Sequence, residues 1–354
     1  MKKLTALTLA LLLLALTACS GTPVIAPPRD PAPPAEENAQ PQPDLPADGT
    51  ALKTGLALVP SLGASKSAGE EPGLAQVDLT LVAVTVDDSG VIADCIIDAV
   101  QAKLPFTGQG KLTADLTAPV PTKNQLGTDY GMGKYSPIGR EWDQQAQAFA
   151  QYAVGKTVEE LRGMALNEKG APAEADLAAS CTISVGGLLE AVAQAVDSAR
   201  HLGAAQGDTL SLAAITSTGS SKDAGEEPGL AQVDSTVTAV TFRGEEISSC
   251  IIDAAQCKVN FDSAGTITTD ITAVPLTKNQ LGRNYGMHKA SSIGKEWSEQ
   301  AEAFAQYAVG KTVEEIQGIA LNEKGGPADA DLAASVTLNP GSFQQVLALA
   351  HELR

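Results

Sequence analysis

Residues 123–160 read KNQLGTDYGMGKYSPIGREWDQQAQAFAQYAVGKTVEE, and residues 278–315 read KNQLGRNYGMHKASSIGKEWSEQAEAFAQYAVGKTVEE. The two stretches are identical at 29 of 38 positions and keep a constant offset of 155 residues. Upstream, AGEEPGLAQVD occurs at 68–78 and again at 224–234, at an offset of 156 residues. Self-similarity at a fixed period indicates a duplicated structural unit.

The duplication predicts two tandem homologous domains, one over residues 51–203 and one over residues 204–354. Each is long enough to bury a core, so we expect the two repeats to fold separately. Only 4% of the residues are aromatic, with one tryptophan in each repeat. We therefore expect cores built mainly from Ala, Val, Leu and Ile.

Each repeat combines strand signals with later helix signals. Val77 to Val86 is rich in β-branched residues, Asp87 to Gly90 has turn composition, and Val91 to Val100 resumes the strand pattern. We expect an antiparallel hairpin here, extended by Lys111 to Leu116. Strands followed by helices predict an α+β fold, in which each domain is an antiparallel sheet followed by packed helices.

Three helices are predicted in the first repeat. Ser136-Pro137 has the composition of a helix start, and an apolar face at helical spacing runs from Ile138 through Trp142 and Phe149 to Ala153. Thr157 to Glu160 fits a capping box that opens a short helix. Leu188 to Arg200 is again amphipathic.

The N-terminus has the pattern of an export signal. Lys2 and Lys3 precede an apolar run that is short for a membrane span, and the run ends in Leu16-Thr17-Ala18-Cys19. This tetrapeptide resembles a bacterial lipobox. It predicts a signal peptide over 1–18, a diacylated Cys19, and a lipid-anchored protein on the extracellular face of the cell membrane. The alternative is a plain secretory signal that contains a chance cysteine.

Nine prolines occur between Ser20 and Thr50. Such a composition cannot form a core, so residues 19–50 are predicted to be a lipidated cysteine followed by a disordered, extended linker.

Composition excludes several function classes. A formal net charge of −18 repels phosphate backbones, so we expect no nucleic-acid partner. The three histidines are scattered and there is no CxxC, so no metal site is expected. No catalytic sequence motif is present, and we therefore predict that the protein is not an enzyme. Cys95 and Cys250 are equivalent positions of the two repeats, but Cys181 and Cys257 have no cysteine counterpart, and sequence leaves the disulfide state of all four open.

One short segment carries a chemical signal. Asp176-Leu-Ala-Ala-Ser-Cys-Thr182 recurs as Asp331-Leu-Ala-Ala-Ser-Val-Thr337. It resembles the acceptor motif for covalent flavinylation, in which a FAD-dependent FMN transferase attaches FMN to a Thr or Ser hydroxyl six residues after an Asp. The motif prefers Gly-Ala before the acceptor, and here Ser-Cys and Ser-Val stand there. The alternative is a threonine that enters a strand after a small-residue turn.

The surrounding residues strengthen this resemblance. The stretch from Lys123 through Tyr130-Gly131-Met132 and Trp142 to the Asp176 motif, in both copies, is similar to the repeated domain of the PplA-like two-FMN lipoproteins of Gram-positive extracellular electron transfer. With the lipobox and the linker, the resemblance covers nearly the whole chain.

The resemblance implies a carrier of two covalent FMN groups on Thr182 and Thr337, with Asp176 and Asp331 recognised by the transferase. It implies electron transfer from membrane quinone/NADH dehydrogenase components to extracellular acceptors such as ferric iron. The six candidates for flavin contact are Tyr130, Met132, Tyr285, Met287, Trp142 and Trp297. The two tryptophans lie on the apolar helix face, which also fits a purely structural role.

A different class of function remains open. Tandem α+β domains on a tether also suit a non-redox lipoprotein that binds a small ligand, a peptide or the cell wall. A hydrolytic lipoprotein is a third reading, but the sequence offers no nucleophile–base pair. The acceptor threonines distinguish the first two readings, because only a carrier of covalent FMN needs their hydroxyls.

Overall fold

The computed structural model describes residues 50–354. The predicted signal peptide, Cys19 and the linker up to Gly49 lie outside the described residues. In residues 50–354 the fold is α+β, with two antiparallel sheets and flanking helices, which confirms the predicted fold class.

The first sheet contains four strands in the order β3-β2-β1-β4. They are β1 Ala51–Ser61, β2 Gly73–Val86, β3 Ile92–Phe106 and β4 Arg200–Ala205. The hairpin pair β2–β3 keeps one antiparallel register over most of its length, with Leu79 opposite Val100. The predicted hairpin is confirmed and is longer than its β-branched centre indicates.

The second sheet contains three strands in the order β5-β6-β7. They are β5 Thr209–Ser217, β6 Gly229–Arg243 and β7 Glu246–Phe261. β6 and β7 form a hairpin that turns at Gly244, whose φ of 61° lies in the left-handed region that favours glycine. The hairpin is the second-repeat counterpart of β2 and β3.

Each repeat contains five α-helices, which follow its β-hairpin. In the first repeat they are α1 Lys123–Leu126, α2 Trp142–Ala153, α3 Val158–Arg162, α4 Ala175–Ala178 and α5 Gly186–Asp197. In the second they are α6 Lys278–Leu281, α7 Trp297–Ala308, α8 Val313–Gln317, α9 Ala330–Ala333 and α10 Gly341–Glu352. The capping box predicted at Thr157 opens α3, with Glu160 as its partner.

The predicted start of the long helix is wrong. Helix α2 begins at Trp142, and Glu141 rather than Ser136 precedes its first turn as the N-cap. Ser136 instead lies outside the helix, where its hydroxyl faces the Gln145 side chain at 3.1 Å. The residues between them form a loop that becomes part of the candidate site.

The predicted strand over Lys111 to Leu116 is also not formed. Only Leu112 makes a bridge, to Phe106. The segment contacts the second repeat instead: the Leu112 N–H donates to Asp223 Oδ1 at 2.8 Å, and Lys111 Nζ lies 3.3 Å from the same carboxylate.

Buried apolar residues form three clusters, which define the layers. One cluster lies between the first sheet and helices α2 and α5, and a second lies between the second sheet and helices α7 and α10. The third joins the facing sides of the two sheets and draws residues from both repeats. Within this cluster Phe106 and Phe261 stack with ring centroids 4.4 Å apart.

Separate folding of the two repeats stays a prediction, but the shared cluster joins them in this structure. Reciprocal backbone bonds reinforce it, because Ala68 N–H donates to Gly265 C=O and Ala224 N–H donates to Gly110 C=O, each at 2.8 Å. An isolated repeat would expose the inner face of its sheet to water. Residues 51–203 and 204–354 therefore remain sequence repeats, but they share one of their cores.

Candidate functional site

The hydroxyl of Thr182 is held by a buried glutamine. Gln145, on α2, is 0% exposed, and its Oε1 accepts from the Thr182 N–H at 2.8 Å and from the Thr182 hydroxyl at 3.0 Å. Thr182 itself is half-buried. One amide oxygen thus fixes both the backbone and the side chain of the predicted attachment residue.

The other end of the glutamine is fixed as well. Gln145 Nε2 lies 3.1 Å from Ser136 Oγ and donates to Arg140 C=O at 2.9 Å. The amide therefore connects the threonine segment to the loop that precedes α2. Because all of its polar atoms have partners, a glutamine is stable in this buried position.

The second repeat has the same arrangement. Gln300 Oε1 accepts from the Thr337 N–H at 2.8 Å, from its hydroxyl at 3.2 Å, and from the Leu338 N–H at 3.1 Å. Gln300 Nε2 lies 3.2 Å from Ser291 Oγ and from Lys295 C=O. The geometry at the two threonines is therefore duplicated along with the sequence.

The threonine does not enter a strand, so that alternative reading is wrong. The short helix α4 ends at Ala178, and the Ser180 and Cys181 N–H groups donate back to Leu177 C=O at 2.9 and 2.8 Å. Thr182 follows this turn in irregular backbone, four residues before α5 begins at Gly186. The hydroxyl lies on a short connection between two helices.

Cys181 is a core residue. Its side chain is 0% exposed, and burial raises the pKa of its thiol although a hydrogen bond with Ile183 opposes the shift. Val336 takes its place in the second repeat and is also 0% exposed. A buried thiol with a raised pKa is a poor competitor for the neighbouring hydroxyl. All four cysteines of residues 50–354 are free and buried.

Asp176 and Asp331 are exposed in the first turns of α4 and α9. The structure does not bond either carboxylate to the acceptor threonine, whose hydroxyl is engaged by the glutamine. Their exposure leaves them accessible to another protein, as a recognition role requires.

The Tyr-Gly-Met segment is a loop anchored by a buried carboxylate. Tyr130 ends one 3₁₀ turn, Gly131 has a φ of 76°, and Met132 begins another. The Met132 N–H donates to Glu141 Oε2 at 2.7 Å. In the second repeat Glu296 accepts from the Met287 N–H at 3.0 Å.

A lysine lies beside both the tyrosine ring and the tryptophan ring of each site. Lys123 Nζ is 4.7 Å from the Tyr130 ring centroid and 4.6 Å from that of Trp142. Lys278 is 4.9 Å from the Tyr285 and Trp297 rings. Such contacts hold a positive charge beside the loop.

The tryptophans are mainly structural. Trp142 is 8% exposed and Trp297 is 6% exposed, and each packs in the helical core of its repeat. The tyrosines and methionines pack only partly against these cores and keep exposed surface. Of the six candidate contacts, Tyr130, Met132, Tyr285 and Met287 are therefore the accessible ones.

The loop next to these side chains is sterically open at two glycines, whereas at Gly133 it packs against Glu141. A Cβ placed on Gly127 or on Gly139 would meet no atom within 4 Å. Both glycines have a positive φ, at 48° and 67°. A planar ring system can approach this surface, and the half-buried Thr182 hydroxyl supplies an attachment atom. The residues present therefore fit a covalently held FMN.

Sequence reasoning missed the glutamine, the lysine and the glutamate that organise each site. Gln145 did leave a signal, because it is a polar residue on the apolar face of a helix, identical in both repeats. Buried polar residues in such positions need specific partners. Glu141 and Lys123 carried no comparable signal, since both residue types are common on exposed surfaces.

No helix among residues 50–354 combines the length and apolar character that a membrane crossing requires. The same residues contain no group of three or more His, Cys, Asp or Glu side chains arranged to hold a metal ion.

Comparisons with protein-family models, curated proteins and solved structures find no match to this chain.

Proposed function

We propose that the protein is a membrane-anchored electron carrier of the extracellular face, with FMN covalently attached through its phosphate to Thr182 and Thr337. A separate FAD-dependent transferase adds the groups, and the carrier itself is not an enzyme. It takes electrons from membrane quinone/NADH dehydrogenase components and passes them to extracellular acceptors such as ferric iron.

We base this proposal on one observation above all. In both repeats a motif threonine, flanked by small residues, is half-buried on a connection between helices, and a buried glutamine fixes its hydroxyl. A hydroxyl in such a place can enter the active site of another enzyme, and its orientation is set in advance. A threonine that served only structure would not need the Asp-to-Thr spacing.

The attachment step balances as a phosphoryl transfer. The Thr182 oxygen forms a bond to the phosphorus that carries FMN, the P–O–P bond of FAD breaks, and AMP leaves. The hydroxyl proton goes to a base of the transferase, because Gln145 Oε1 accepts a hydrogen bond but an amide cannot take up the proton at neutral pH. The hydrogen bond from the Thr182 backbone N–H to Gln145 Oε1 does not involve the hydroxyl, so it can persist after FMN is attached.

Bound FMN supplies two-electron uptake and single-electron release. The chain's own residues hold and tune it. Lys123 and Lys278 place a positive charge beside each loop, and Tyr130 with Met132, like Tyr285 with Met287, offers aromatic and sulfur surface. A lipid on Cys19 and the proline-rich linker would keep both sites near the membrane reductase and raise its effective concentration.

Intact mass spectrometry of the full chain, produced together with an active FMN transferase, tests the proposal. We expect two added FMN groups on the unaltered protein, one on Thr182→Ala, one on Thr337→Ala, and none on the double variant. Thr→Val replacements control for shape, because valine keeps the branched side chain without the hydroxyl. Asp176→Ala should lower loading at the first site while leaving Thr182 intact.

Two results would overturn the proposal. If the unaltered protein carries no flavin when the transferase is active on a control substrate, the binding-module alternative replaces it. If the double threonine variant still carries two flavins, the attachment residues are wrong. Anchoring has its own test: Cys19→Ala should release the chain to the medium or leave it unprocessed.

A further inference from the structure

The two candidate sites differ in charge although their geometry is the same. Between Lys123 and Gln145 the formal charges cancel, whereas between Lys278 and Gln300 the positive charges exceed the negative ones by two. Four positions account for this difference, and they are Thr128/Arg283, Asp129/Asn284, Asp143/Ser298 and Gln144/Glu299.

Two of these positions lie directly in the loop beside the accessible aromatic ring. Arg283 and Asn284 belong to the 3₁₀ turn Gly282–Tyr285, and both are exposed. The Tyr285 ring at the end of this turn contacts Lys278 Nζ, at 4.9 Å from the ring centroid. The second loop therefore presents two neighbouring cations, where the first has Lys123 and an acidic Asp129.

The second loop also has a histidine beside its buried carboxylate. His288, which occupies the position of Gly133, donates its backbone N–H to Glu296 Oε1 at 3.2 Å and pairs with the same carboxylate through Nδ1. Burial alone would raise the pKa of Glu296, but the hydrogen bonds from His288 and Met287 lower it, so this carboxylate stays ionised and paired. In the first repeat Glu141 has no histidine beside it and binds the Met132 N–H.

The charges that neighbouring elements contribute do not cancel this difference. Glu302, in the position of Gln147, is paired with Arg200 at 2.7 Å. The segments around the two acceptor motifs carry matching charges, because Glu323, Lys324, Asp329 and Asp331 repeat the charge pattern of Glu168, Lys169, Glu174 and Asp176.

We propose that the site at Thr337 is the more easily reduced of the two, and that it is therefore the site on which electrons collect within the chain. This inference rests on the proposed function. A reduced flavin carries more negative charge than an oxidised one, so the more positive loop stabilises the reduced form. Two additional positive charges at roughly 10 Å from the flavin ring raise the equilibrium constant for its reduction by about tenfold. For a two-electron couple, a tenfold change in equilibrium constant corresponds to about 30 mV.

The test uses the full chain with one flavin at a time. Thr182→Ala leaves only the Thr337 site loaded, and Thr337→Ala leaves only the Thr182 site. Spectroelectrochemical titration of the two proteins should give the higher midpoint potential for Thr182→Ala. The gap should shrink in high salt, because these loop charges are exposed and screened.

Exchanging the loop charges tests the cause. Arg283→Thr with Asn284→Asp, made in Thr182→Ala, should lower the potential toward that of the first site. Thr128→Arg with Asp129→Asn, made in Thr337→Ala, should raise it by a similar amount.

A matched control removes an exposed cation from the same repeat. The control is Lys258→Thr. Asp253 on β7 is next to the loop, because its carboxylate accepts from the Asn279 N–H. Lys258 lies five residues, or about 16 Å, further along the same strand. Lys258→Thr should leave the potential unchanged.

Equal potentials at the two sites, a reversed order, or charge exchanges without effect would overturn this inference while leaving the proposed function intact. A chain that carries no covalent flavin at all would overturn both.

Discussion

Replacing Gln145 by leucine is the sharpest perturbation of the candidate site. Leucine has a similar volume and suits the apolar neighbours of the site, but it can neither accept nor donate. The change removes the bonds to the Thr182 N–H, the Thr182 hydroxyl, Ser136 Oγ and the Arg140 C=O.

The expected loss follows from the groups left without partners. A buried donor or acceptor that loses its partner costs about 1–3 kcal/mol. Thr182 is half-buried and Arg140 is exposed, so water can replace part of what is lost. We therefore expect the free energy of unfolding of Gln145→Leu to fall by about 2–3 kcal/mol. Gln300→Leu should cost more, because Gln300 also holds the Leu338 N–H at 3.1 Å.

Urea unfolding of the flavin-free chain measures this loss, and intact mass after production with the transferase measures loading. Gln145→Leu should lose FMN at Thr182 and keep it at Thr337. Gln147→Leu is the matched control, since Gln147 is exposed on the same helix and its replacement should change stability by less than about 0.5 kcal/mol. A Gln145→Leu protein that is as stable as the unaltered chain and carries two flavins would refute the role of Gln145 in holding Thr182.

Further changes probe the rest of the structure. Burial raises the pKa of Asp98 from 3.8 to about 6. Between these pH values the folded state keeps a proton on Asp98 that the unfolded state loses. The free energy of unfolding therefore declines as pH rises through this window. Asp98→Asn should remove this decline, which amounts to about 3 kcal/mol. If the urea midpoints at pH 4 and pH 7 differ as much in Asp98→Asn as in the unaltered chain, this prediction is wrong. Phe106→Ala breaks the stack with Phe261 and should lower the free energy of unfolding by about 3–5 kcal/mol, with faster hydrogen exchange in both repeats. Phe149→Ala should speed exchange mainly in the first repeat. Faster exchange in only one repeat after Phe106→Ala would contradict the shared core. Cys181→Val should leave stability within about 1.5 kcal/mol and FMN loading unchanged, and lost loading would implicate the thiol.

The parts of the fold that sequence predicted are those with strong local periodicity. Val77 to Val86 has the composition of a strand, and the residues from Trp142 to Ala153 have the apolar spacing of a helix. The strand and the helix both form over these residues. Strand β1, which contains Gly55 and Pro60, was missed because those residues disfavour strands locally. It forms because it pairs with β2 on one side and β4 on the other.

The remaining differences arise from long-range contacts. Ser136-Pro137 has the local chemistry of a helix start, but the loop is held outside the helix by Glu141 and Gln145. The shared core also lacks a local signal, because an inner sheet face looks the same whether a helix or a second sheet covers it. Only the assembled strands show that Phe106 meets Phe261.

The same limit applies to the candidate site. The acceptor threonines could be proposed from a seven-residue motif, whereas their partners Gln145 and Gln300 lie 37 residues earlier in the chain. A pairing at that separation depends on how α2 and α7 pack against the motif segments. Sequence therefore proposes the attachment atoms, whereas the residues that orient these hydroxyls are seen only in the structure.

Peptide mapping of the full chain, purified after production with an active FMN transferase and denatured before digestion, tests the central claim most directly. We expect FMN phosphate esters on the peptides that contain Thr182 and Thr337, with fragment ions that place the group on those hydroxyls and leave Cys181 unmodified. Flavin on Cys181, flavin on any other residue, or two threonine peptides without flavin would contradict it.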